Sequence, residues 1–92
     1  MKPDQSIQNR NALASYKLAI SRYIRSVMML KGVKYNDLTE GLSQKGIVMT
    51  TENLRSKISK GIFSADLLTA IIHVLGAEED AMREIIKHAN ND

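Results

Sequence analysis

From Ala12 to Lys31 the apolar residues Leu13, Tyr16, Ile20, Ile24, Val27 and Met28 recur at steps of three and four, the spacing of one stripe on a helix. Lys17, Arg22, Arg25 and Lys31 fill the other positions, and Gly32 predicts the end of this first helix. Leu38 and Leu42 are four apart in a second segment, running from about Lys34 to a stop at Gly46. Val33 stands just before it, and Gly41 lies inside it, where a glycine weakens the helix but lets a neighbour approach closely. Ile47, Val48 and Met49 suit either a short strand or a turn between helices; with no partner strand in the pattern, a turn is expected.

Thr50 is a favourable N-cap for a third helix, which has Glu52 in its first turn, Leu54 and Ile58 on its apolar side and Gly61 at its end. Ser64 is a second N-cap. The segment after it is the most apolar of the chain, with Leu67, Leu68, Ile71, Ile72, Val74 and Leu75 before Gly76, and is expected to be the central buried helix. Glu78, Glu79 and Asp80 are expected to open a fifth helix at its positive end, with Met82, Ile85, Ile86 and Ala89 as its stripe. Residues 1–11 lack periodicity and read as a flexible arm, leaving residues 12–92 as one helical domain.

Composition narrows the picture. The chain has 92 residues, no cysteine and one proline, Pro3, near the N-terminus. Disulfides and cysteine-based metal sites are excluded, and a small fold without them suits a reducing cytosol, so a cytoplasmic location is expected. Apolar runs are far shorter than the roughly 20 residues of a membrane span, so no membrane role is expected. Only four aromatic side chains occur, Tyr16, Tyr23, Tyr35 and Phe63, which makes the core aliphatic.

Net charge is +3, unevenly spread: residues 1–46 carry eight Lys/Arg against three Asp/Glu, and residues 47–92 carry five against seven. The basic first half points to an anionic partner. Catalytic chemistry finds no constellation. His73 and His88 are separated by fifteen positions and lack ligand-spaced carboxylates, and no glycine-rich phosphate loop follows a strand. The expectation is no enzyme, no metal, no cofactor and no small-molecule ligand.

The stretch VKYNDLTEGLSQKGIVMTTENLRSKISKGIFSADLLTAIIHVLG resembles the helix-turn-helix core of phage-repressor-like (Xre-type) DNA-binding domains. Val33, Leu38, Thr39 and Leu42 match the first helix of that motif, Leu54, Ile58, Lys60 and Gly61 its recognition helix, and Leu75 with Gly76 its closing pair. NLRSKISKG followed by IFSA is also similar to a family of small bacterial proteins of unknown function. The segment between Leu42 and Leu54 is longer than the usual tight turn, and the linker after Gly61 is shorter and lacks the proline often found there. The resemblance implies an all-α, five-helix, lambda-repressor-like helix-turn-helix domain that binds double-stranded DNA sequence-specifically. Such a protein would be a homodimeric regulator from a bacterium or mobile element. The alternative is an interaction module that kept this fold and lost DNA binding.

With Leu54 and Ile58 facing the core, a helical projection at about 100° per residue places Ser56 at the outward centre. Glu52, Asn53, Ser59 and Lys60 flank it, and Arg55 and Lys57 lie at the borders. Glu52, Asn53, Arg55 and Ser56 are the expected base contacts, because Asn pairs with adenine and Glu accepts from cytosine. Lys57 and Lys60, with Lys34, Tyr35 and Asn36 at the start of the second helix, are the expected phosphate contacts. Tyr35 reads equally well as an aromatic at the core edge.

Overall fold

The computed structural model describes residues 3–90, with side-chain surroundings described from Gln5 onward. It is all-helical, with five helices in the order α1 (Pro3–Lys31), α2 (Tyr35–Gln44), α3 (Thr51–Lys60), α4 (Ala65–Leu75) and α5 (Ala81–Asn90). Residues 47–49 form an irregular connection, and no strand occurs among the described residues. A spacing of three and four, broken by glycines rather than prolines, accounts for α2 to α5 and for α1 from Ala12 onward.

The organising element is α1. At about 1.5 Å per residue its 29 residues make a rod of about 43 Å, the full long dimension of the molecule, 42 Å. Its C-terminal two-thirds pack against α5 and α3, while α2 packs against α3 and α4. Ala19, Tyr23, Ile24 and Met28 of α1 meet Leu38 and Leu42, Leu54 and Ile58, Ile71 and Leu75, and Ala81 and Ile85 in one core. Each short helix thus contributes a pair of side chains four apart.

Two glycines set how closely helices meet. A Cβ at Gly41 would lie 2.6 Å from Val74 Cγ1, so α2 and α4 approach as the sequence anticipates. Gly61 is buried with φ +65, and a Cβ there would strike the Lys17 carbonyl of α1. Beside it, the buried Ser21 hydroxyl donates to the Ser59 carbonyl at 3.3 Å. The end of α3 is therefore seated directly on the backbone of α1.

Three expectations need correction. First, the expected arm is helical from Pro3 onward, and residues 1–2 lie outside the described residues. Proline suits the first turn of a helix, where its missing N–H is not needed, so absence of an apolar stripe did not mean absence of helix. Residues 5–14 are exposed throughout, because α1 outruns the helices that would cover it. Leu13 and Tyr16 remain 52% exposed for the same reason. Second, α4 is not the central helix: only Ile71 and Leu75 are buried, and Leu67, Leu68, Ile72 and Val74 are half-buried. Apolar residues surround α4, but neighbours cover one side of it. Third, Ser64 precedes α4 but its hydroxyl makes no cap to the helix backbone. The Asp66 carboxylate accepts from the Leu67 N–H at 2.8 Å, and the Ser64 hydroxyl first and this N–H second hold it below its ordinary range. Glu78, Glu79 and Asp80 stand where expected, in a turn directly at the N-terminal end of α5, the Asp80 carbonyl accepting from the Glu84 N–H at 2.9 Å.

A candidate nucleic-acid interface

The candidate residues fall on α3 and on the start of α2. Thr50 caps α3 by accepting from the Asn53 N–H at 3.0 Å. Gly61 closes it, with its own N–H donating to the Ile58 carbonyl at 3.2 Å and the Ile62 N–H to the Lys57 carbonyl at 3.2 Å. Held at both ends and by the buried Leu54 and Ile58, α3 turns Glu52, Asn53, Arg55, Ser56, Ser59 and Lys60 to solvent, with Lys57 half-buried at the border. This is the face the helical projection anticipates.

The structure divides the candidate residues into two sets. One lines a shallow hollow beside the outward ridge of α3, formed by Asn53, Ser56, Lys57 and Lys60 with Glu52 and the exposed Ile62. The other lies on the opposite flank, where Lys34, Tyr35 and Asn36 from the start of α2 meet Arg55. The guanidinium of Arg55 lies over the Tyr35 ring, 5.0 Å from its centroid. Arg55 therefore belongs with the α2 set rather than with Asn53 and Ser56. Tyr35 is half-buried and does both things the sequence left open: it packs against the core and presents a ring to the surface. Thr39 and Thr51 tie the two helices together behind it, their hydroxyls 3.3 Å apart.

Sequence reasoning missed Arg25 of α1, which lines the same flank as Arg55 and Lys34. The signal was available only in part. Helical spacing puts Arg25 off the apolar stripe, but nothing in the sequence says that this part of α1 passes beside the start of α2.

The described residues show an ion pair between Lys87 and Glu84 at 3.8 Å on α5, and none to Arg25, Lys34, Arg55, Lys57 or Lys60, although Glu52 shares the hollow of Lys57 and Lys60. A denser group of acids lies at the other end. Glu78, Glu79, Asp80 and Glu84 line a groove between α1 and α5 with Tyr23 on its wall. Burial pushes the Tyr23 hydroxyl above its usual range, and Asp80 and Glu84 push it the same way. Lys31 closes α4 from across this junction, donating to the Leu75 carbonyl at 2.6 Å. His73 is exposed, and His88 meets the Tyr23 ring edge-on at 6.5 Å between centroids. Among the described residues no group of three or more His, Cys, Asp or Glu side chains is placed to hold a metal ion. No single helix among them is long and apolar enough to cross a membrane.

No curated protein and no solved structure matches the chain. A family model described as a domain of unknown function (DUF6471) matches residues 16–80. The matched region begins where α1 starts to be covered by its neighbours and ends in the acidic turn before α5. It contains every candidate interface residue on α1, α2 and α3. The chain belongs to the DUF6471 family of domains of unknown function.

Proposed function

We propose that this chain is a repressor-like helix-turn-helix module that binds duplex DNA by placing the outward ridge of α3 in the major groove. One observation carries the reading: an exposed polar ridge of α3 has unpaired cations on both flanks, Arg55 with Lys34 on one side and Lys57 with Lys60 on the other. A helix seated in a groove about 12 Å wide has a phosphate strand on each side. Short side chains on the ridge, Ser56 and Ser59, allow close approach, and Asn53 can pair with a base edge. Glu52 is then the group available to accept from cytosine. A module this small contacts few base pairs, so the regulator would act as a homodimer on a two-fold site in the cytoplasm.

A second reading, a protein-interaction module on the same fold, is favoured by the apolar side chains next to the face. Val48 in the α2–α3 connection is 86% exposed, and Ile62 is half exposed after α3.

The deciding experiment is binding of the full chain to random-sequence duplex at two salt concentrations. Binding that falls steeply with salt is the expected result. Asn53→Ala is then expected to cost about 1–3 kcal/mol on a selected site and little on random DNA. Lys60→Ala should weaken all duplexes alike and reduce the salt slope by about one unit. No binding at low salt would hand the face to the interaction-module reading.

A further inference from the structure

The flank formed by α1 and the start of α2 contains more than the reading of α3 requires. Arg25, Lys34 and Arg55 come from three different helical regions and line one open cleft of about 540 Å³, together with Asn36 and Thr51. Among the described residues none of the three cations forms an ion pair. The Asp37 carboxylate, the nearest acid in sequence, accepts from the Lys34 N–H at 2.9 Å. It caps the start of α2 and offsets at most one of the three charges.

The floor of the cleft is Met28 and Val33, which offer no hydrogen bond, and Met29, 85% exposed, stands at its rim. The polar heads must therefore find their partner outward. Arg55 is poised for this. Its guanidinium lies over the Tyr35 ring, a cation–π contact that favours holding it at the cleft, and its planar N–H fork suits an oxyanion.

We infer that this cleft is a clamp for one phosphodiester strand, in which Arg25 contributes a contact from α1 and the Tyr35 ring is the positioning group for Arg55. The inference rests on the reading of α3 as the groove-facing helix. It goes beyond that reading by making α1 part of the interface and by giving the Tyr35 ring the task of holding Arg55. The cleft is open along the surface rather than enclosed, which suits an extended polyanion lying across it better than a small molecule held within it. The first-turn N–H groups of α2, which have no acceptor within the helix, add donors at the same end.

The test uses the full chain with random-sequence duplex and a selected duplex, each titrated across a range of salt. Arg25→Gln and Arg55→Gln are each expected to weaken both duplexes by the same factor and to lower the salt slope by about one unit. Tyr35→Phe keeps the ring and is expected to bind as the parent does. Tyr35→Leu is expected to reproduce the loss seen for Arg55→Gln, and the double variant to be no weaker than either single one. Melting curves for each variant separate loss of binding from loss of fold, and Tyr35→Phe guards against a purely structural role for the side chain. Parental affinity and slope in Arg25→Gln, while the parent binds and Asn53→Ala loses site preference, would overturn the clamp and leave the DNA reading standing. So would an Arg55→Gln variant that loses preference on the selected duplex alone. A parent that binds neither duplex at low salt overturns both.

Discussion

Helices α3 and α4 are built by the same local rules and end up in different roles. Each follows a hydroxyl residue, Thr50 or Ser64, and buries two side chains four apart. Each closes on a left-handed glycine, Gly61 at φ 65 or Gly76 at φ 67. Their outer faces differ: polar with cationic borders on α3, and on α4 a narrow strip of Asp66, Thr69 and His73 between half-buried Leu67, Leu68, Ile72 and Val74. Their ends differ too. Gly61 is buried against the α1 backbone, whereas Gly76 is exposed, with only Lys31 Nζ within reach, 3.4 Å from where a Cβ would stand. A capping pattern therefore says that a helix stops, and says nothing of what it stops against.

The sharpest way to break this comparison is at the two glycines. Gly61→Ala combines left-handed strain with a collision against backbone that cannot move aside, and is expected to destabilise by about 2–5 kcal/mol in urea unfolding. Gly76→Ala carries the strain alone and is expected to cost about 1–2 kcal/mol. Equal costs would mean that α3 does not end on α1.

The next effect lies within α4. Ile71 is fully buried and Ile72 only half-buried. Ile71→Ala is expected to cost about 2–5 kcal/mol. For Ile72→Ala the expectation is about 1–2 kcal/mol, because part of that side chain is already in water. Chemical denaturation of the two variants checks the order, and a larger loss at Ile72 would put the other side of α4 in the core.

The smallest effect separates the two caps. Thr50 accepts the Asn53 N–H, so Thr50→Ala is expected to cost about 1 kcal/mol. Ser64 makes no bond to the α4 backbone, so Ser64→Ala is expected to cost less in thermal melts. Its signature is in titration: the Asp66 carboxyl should rise toward its ordinary 3.8 by NMR. A carboxylate with a lowered folded-state pKa contributes stability above its ordinary value and loses it as pH falls through the folded value. The part of the Ser64→Ala difference that comes from Asp66 should therefore be present at neutral pH and vanish in strong acid. An unmoved Asp66 would show that Ser64 holds something else.

Much of this was written in the chain. The steps of three and four, the glycines after the first four stripes and the Thr50 cap determined five helices, because these are local preferences of side chain and backbone acting within a turn or two. The same periodicity determined which side of α3 faces water, since Leu54 and Ile58 leave Ser56 opposite them whatever they pack against. Tertiary structure alone decided the rest. It made α1 rather than α4 the central element, because burial depends on how many neighbours cover a side chain and not on how apolar it is. It put Arg55 over Tyr35 and Arg25 beside them, because these residues lie on separate helices, and whether their side chains meet depends on packing far from any of them.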